Sequence, residues 1–277
     1  MDRANRISAA DARRELARLG ENQRVTMNLM ELILSGDNAL AWSNGGSYLI
    51  CQSDPRTPVW AWLAPDIGDS AAARAADILA ACAERNPGVH LHVPTVAGAG
   101  VLRLVEERTG RTAEKVMDMN AYVCRRVREP AYRGEPSAPG EADRPAMASL
   151  LRQLAQDGEH QTIPQEEADG FAAAMVGAGI LSLWRDDGRV CAMAMVAHRT
   201  ENTARINTVV TDRALRGRGY AGILTARLCR DLLAEGAVPM LYADAANPSS
   251  NRAYQKIGFE KVGEVTEYRL TESGAGR

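Results

Sequence analysis

The stretch that most restricts what this chain can fold into is Gly217-Arg218-Gly219-Tyr220-Ala221-Gly222, set between two apolar segments of different period. Residues 204–211, rich in Ile, Thr and Val, predict a strand, and residues 223–233 space their apolar side chains as a helix does. A strand, a glycine loop and a helix in that order make an anion site. Unsatisfied N–H groups and the positive helix end converge there, and glycine lets the backbone come close to a ligand. The hexapeptide also matches G-x-G-x-x-G, and Asp244 follows about 20 residues on, where a ribose-binding carboxylate is expected. A dinucleotide fold nevertheless fails. Its glycines follow the first strand almost directly and further βαβ units complete the sheet. Here Asp212-Arg213-Ala214-Leu215-Arg216 intervene, and only 55 residues follow Gly222. Arg216 and Arg218 suit a more highly phosphorylated ligand, and no Gly-Lys-Ser/Thr follows for a Walker-type site.

A segment rich in Pro, Gly and charge, Glu129 to Glu141, marks a boundary between two halves of similar pattern. After it the order predicted is ααβββαβαβ: helices 145–157 and 165–178, strands 180–185, 190–199 and 204–211, a helix to about Gly236, a strand at 239–243, a helix at 249–257 and a strand at 261–270. Before it, helices at 8–19 and 22–34 precede strands 40–42, 48–52 and 59–63, helix 70–84, strand 89–93, helix 98–109 and strand 115–127. Three landmarks recur at nearly constant offset: Pro58–Asp66 against Ala204–Asp212, Gly110 against Gly258, and Tyr122 against Tyr268. This predicts an internal duplication, with an unrelated α/β N-terminal domain as the alternative. The halves differ after the third strand, where the first offers Ile67-Gly68-Asp69-Ser70 and no glycine-arginine loop.

Arg216-Gly217-Arg218-Gly219-Tyr220-Ala221 resembles the R/Q-x-x-G-x-G/A signature of the GNAT superfamily of N-acetyltransferases. Downstream, Asn247-Pro248-Ser249-Ser250-Asn251-Arg252-Ala253-Tyr254, with Gly258-Phe259 beyond it, is similar to the family's second signature. The resemblance covers roughly residues 143–270. It implies an α/β (α+β) protein of two GNAT-like modules, each a mixed, mostly antiparallel sheet flanked by helices. Residues 1–128 would be a degenerate module, 129–142 a linker and 143–277 the catalytic domain. It also implies acetyl-CoA as co-substrate. Val209, Val210 and Thr211 would pair with its pantetheine arm, and Arg216, Gly217, Arg218, Gly219, Tyr220, Ala221 and Gly222 would hold its pyrophosphate. Asn247 and Asn251 would contact the cofactor, and Tyr254 would protonate the departing thiolate. Asp244 is the best carboxylate for a general base and His198 a weaker one. The function implied is acetyl transfer to an amine by direct attack in a ternary complex. The alternative is a non-catalytic acyl-CoA-binding sensor.

Composition narrows the partners. With 33 Lys and Arg against 35 Asp and Glu, the net charge of −2 gives no case for nucleic acid. No run approaches a membrane span of roughly 20 apolar residues. The acceptor is expected to be a small-molecule or protein amine, with oligomeric state open. Five scattered cysteines without C-x-x-C spacing predict reduced thiols in a cytoplasmic protein. Of His90, His92, His160 and His198, the first two share a strand face without an apparent third ligand, so no metal is expected. Trp60 and Trp62 share another face, either lining an acceptor pocket or packing at a seam.

Overall fold

The computed structural model describes residues 5–131, 133–159, 162–200 and 202–272; His160 lies outside them. The fold is mixed α/β: mostly antiparallel, open sheet flanked by helices, in two compact units. One unit takes Met1–Ala121, Asp244–Ala246 and Val262–Arg277, and the other takes Tyr122–Ala243 and Asn247–Lys261. The final strand of each sequence half therefore serves both units.

In the first unit the elements are β1 (Arg6–Ile7), α1 (Ala9–Arg18), α2 (Glu21–Thr26), α3 (Asn28–Ser35), β2 (Leu40–Ser43), β3 (Tyr48–Gln52), β4 (Val59–Leu63), α4 (Asp69–Arg85), β5 (His90–Pro94), α5 (Thr95–Thr109) and β6 (Arg111–Cys124). The Ser8 hydroxyl caps α1 by accepting the Asp11 amide. The single helix expected over 22–34 is instead two. The chain breaks at Met27, after the β-branched pair Val25-Thr26, and the Thr26 hydroxyl turns back onto the Asn22 carbonyl at 2.7 Å. β1 to β4 pair antiparallel in sequence order, and β4 pairs parallel with β5. β5 then takes an antiparallel partner from the far end of the chain, β12 (Phe259–Glu272), in register from Val265↔Pro94 to Arg269↔His90.

The second unit holds the end of β6, then β7 (Glu135–Ser137), α6 (Arg144–Leu154), α7 (Gln165–Met175), β8 (Leu181–Asp186), β9 (Arg189–Arg199), β10 (Thr203–Thr211), α8 (Tyr220–Ala234), β11 (Val238–Asp244, all but its last residue) and α9 (Pro248–Lys256). Its strand order is β6-β11-β10-β9-β8-β7. β7 is a short edge strand inside the segment read from composition as a linker, and it pairs antiparallel with β8. Helix α6 stops at Leu154, short of the expected 157, and continues as a π-helical turn, Ala155–Glu159.

Two apolar layers sandwich this sheet. On one face Ala204, Ile206, Leu241 and Ala243 pack with Ile223, Leu224 and Leu232 of α8. On the other, Leu181, Leu183, Met193 and Val210 pack with Met147, Leu150 and Ala172 of α6 and α7. A fully buried side chain such as Leu224 contributes about 1.5–3 kcal/mol. All five cysteines are free and buried. Among the described residues no helix is long and apolar enough to cross a membrane.

Candidate active site

The site begins with an irregularity in β10. Asn207 faces Met195 of β9 and Val210 faces Met193, so β10 carries one extra residue, a β-bulge. Thr208, inside it, sits at φ 53°, a left-handed value that a β-branched residue adopts only when its surroundings impose it. The bulge inverts the alternation of the strand. Ala204 and Ile206 face α8 before it, whereas after it Val209 packs toward α8 and Val210 faces α6 and α7. On its other side β10 is in parallel register with β11 from Thr203↔Val238 only to Arg205↔Met240. The pairing ends there, and Val209–Thr211 border an open cavity.

The glycine loop follows. Gly217 and Gly219 hold φ of 79° and 85°, and open space surrounds the position of a Cβ at either. Gly219 is the N-cap of α8 and no side chain caps the helix. The first intrahelical bond in this turn runs from the Ile223 amide to the Gly219 carbonyl, so the amides of Tyr220, Ala221 and Gly222 face outward from the helix end. The Tyr220 ring is turned into the core, with its hydroxyl bonded to Asp186, whose carboxylate also pairs with Arg133. Tyr220 thus anchors the helix start with its side chain and offers its amide to the loop.

A cavity of about 740 Å³ lies over this loop. Val209, Val210, Thr211, Arg216 and the whole run Gly217 to Gly222 border it, as do Asn247, Tyr254, and Asp157 of the π-helical turn. Asn247 caps α9 through a 3.0 Å bond from the Ser250 amide, which follows from its place before Pro248. Tyr254 lies two turns farther on, edge to face with Phe259 at 5.8 Å between ring centroids. Burial pushes its phenol up to about 12, so the hydroxyl stays protonated across the neutral range.

Two residues named from the sequence are placed elsewhere. Asn251 does not border the cavity. It is buried, its amide nitrogen donates to the Asn247 carbonyl at 2.6 Å, and its Oδ1 accepts from the Tyr122 hydroxyl at 2.9 Å. Asp244 ends β11 outside the cavity wall, and its carboxylate accepts the Ala246 amide at 2.8 Å, holding the turn into α9. Asp157 has no counterpart in the sequence reading. Its carboxylate bonds to the guanidinium groups of Arg213 and Arg216, with Arg213 the larger influence holding it below the usual carboxylate range. Arg216 also reaches the Thr211 carbonyl at 3.3 Å. The only sequence signal for Asp157 is Gln-Asp-Gly, which reads as a turn.

In the first unit the corresponding helix start differs. Gly68 caps α4 at an ordinary φ of −74°, and Asp69 occupies the first turn. Trp60 stacks on His92 of that unit at 4.5 Å. His90 and His92 approach Glu267, yet no group of three His, Cys, Asp or Glu suited to a metal exists among the described residues.

Residues 146–259 match the model of the acetyltransferase (GNAT) family. No curated protein matches the chain in sequence. Solved structures share its fold nearly end to end. A GCN5-related N-acetyltransferase from Sphaerobacter thermophilus superposes with TM-score 0.62 at 15% identity, over 95% of each chain. One from Kribbella flavida gives 0.59 at 15%, over 92% of this chain and 97% of that one. A GNAT-family acetyltransferase from Colwellia psychrerythraea gives 0.55 at 12%, over 84% and 85%. At such identities the likeness is one of fold alone. That matched segment, residues 146–259, is less than half of the chain and is similar in sequence to the acetyltransferase (GNAT) family.

Proposed function

We propose that the second unit binds acetyl-CoA in the cavity over the glycine loop and transfers the acetyl group to an amine by direct attack. The observation that carries this is the pairing of two features on one cavity: an uncapped helix start with outward amides, and the bulged β10 beside it. Bound there, acetyl-CoA supplies an acetyl group on a thioester. The amides of residues 220–222 and the Arg216 and Arg218 guanidinium groups hold the pyrophosphate. The backbone of Val209–Thr211 pairs with the pantetheine arm, and its N–H groups stabilise charge developing on the carbonyl oxygen. The amine nitrogen forms its bond to the carbonyl carbon, the carbon–sulfur bond breaks, and the Tyr254 hydroxyl gives its proton to the departing sulfur. Water restores that proton and takes the one released by the amine. Asn247 and Asn251 set the position of α9, and so of Tyr254. The first unit, with Asp69 in the helix turn where an anion would sit, is read as a degenerate GNAT-like module that binds no acetyl-CoA.

Incubating the whole protein with acetyl-CoA and a panel of amines, while measuring released thiol, tests the reading. Amine-dependent thiol release is expected. Tight acetyl-CoA binding with no release for any amine would favour a binding protein over an enzyme.

A further inference from the structure

Arg205 stands two residues before the bulge, on the sheet face turned away from α8, because its neighbours Ala204 and Ile206 are both in the α8 core. Directly across β9 from it is His198, and across β11 is Met240. Cross-strand partners share a face, so His198 projects beside Arg205. Tyr242 does too, since Leu241 and Ala243 on either side of it face α8. The Arg205 guanidinium is in an unusual state. Its Nε is fully enclosed without a hydrogen-bond acceptor, and among the described residues no carboxylate pairs with it. The Nε2 of His198 is also enclosed and unpartnered. Burial, and then the Arg205 charge, push the imidazole below its ordinary value; burial likewise lowers Arg205, which Tyr242 partly offsets.

An enclosed guanidinium Nε and an enclosed imidazole nitrogen, neither with a hydrogen-bond partner, are costly unless a ligand completes them. We infer that Arg205 and His198 form an anion subsite for the acyl acceptor, which therefore carries a carboxylate as well as an amine. The guanidinium fork and the imidazole N–H would donate to the carboxylate oxygens together. This rests on the acetyltransferase reading, because it places the attacked carbonyl beside Val209. Four residues separate Arg205 from Val209, at most about 13 Å of extended strand and less across the bulge between them. The acceptor must then hold its amine and its carboxylate several bonds apart.

Two readouts test this. In the first, 6-aminohexanoate and 6-aminohexanamide are compared as acceptors for the intact protein. The carboxylate is expected to have the lower KM, and Arg205→Gln to raise that KM roughly 10–100-fold and erase the preference. Arg205→Lys, which keeps the charge but loses the fork, should restore part of it. In the second, the His198 imidazole resonances are followed during titration with glutarate, which has no amine and needs no turnover. A saturable shift that Arg205→Gln abolishes is expected. Equal use of acid and amide, together with no glutarate-dependent shift, would overturn the subsite. A glutarate shift without acetylation of any amine would leave the subsite standing and remove the transferase reading instead.

Discussion

Replacing Tyr254 with Phe is expected to lower kcat on the order of 10²-fold or more and to leave CoA affinity within about twofold. The substitution removes one hydroxyl and almost no volume, so the edge-to-face contact with Phe259 and the wall of the cavity persist. What is lost, on the proposed mechanism, is the proton donor for sulfur, and 10² in rate corresponds to about 2.7 kcal/mol of barrier. Because burial holds the phenol up to about 12, the donor is fully protonated at pH 7. Any fall of kcat in the parent protein between pH 7 and 10 therefore belongs to another group. Measuring kcat by thiol release and Kd by calorimetry on both forms checks the split. Unchanged kcat would make Tyr254 a packing residue and leave the sulfur to be protonated by water.

The second large effect concerns where the chain is cut. Residues 129–277 contain every residue assigned to the acetyl-CoA cavity, yet that fragment is expected to lose cooperative folding. Tyr122 and Cys124, at the end of β6, are part of the α8 core. The Tyr122 hydroxyl bonds to the buried Asn251 amide, and the Arg128 amide donates to the Ile257 carbonyl at 2.9 Å. Gly258, at φ 109°, lies so close to the Arg126 backbone that a Cβ there would meet the Arg126 oxygen at 2.2 Å. Losing Tyr122 alone removes the hydroxyl bond to the buried Asn251 Oδ1, about 1 kcal/mol, and forfeits aromatic burial of about 1.5–3 kcal/mol. Against a total stability of about 5–15 kcal/mol, losing the whole segment is decisive. The cut also removes β5, the partner of Val265–Arg269. A chain of residues 111–277 restores β6 and should melt cooperatively at higher temperature than 129–277. A 129–277 fragment with a sharp transition and full CoA affinity would refute the structural role given to Tyr122–Arg128.

That cut shows where sequence reading stops. The order of elements was legible because each has its own period and its own caps: the strands 48–52 and 59–63 coincide with β3 and β4, and Ser8 caps as expected. The glycine loop was legible because the residue types that approach an anion are few. Which unit a strand joins was not, because β6 is a single uninterrupted strand whose end is shared out by tertiary packing alone. The bulge was invisible for a related reason. Asn207-Thr208-Val209-Val210 has the composition of a regular strand, and nothing local marks Thr208 for a left-handed φ. Asn251 lies in the segment whose resemblance implied a cofactor contact, but its side chain direction depends on Tyr122, which is 129 residues away. Arg205 was passed over because an arginine in a strand reads as solvated; only its unpartnered enclosure makes it notable.

Calorimetric titration of the intact protein with CoA and, separately, with NAD tests the central claim most directly. One CoA site per chain is expected, with no heat from NAD, because on the proposed reading the eight residues from Asp212 to Gly219 set the loop to hold a pyrophosphate whose carrier runs along β10. Tight NAD binding with none for CoA would contradict the account.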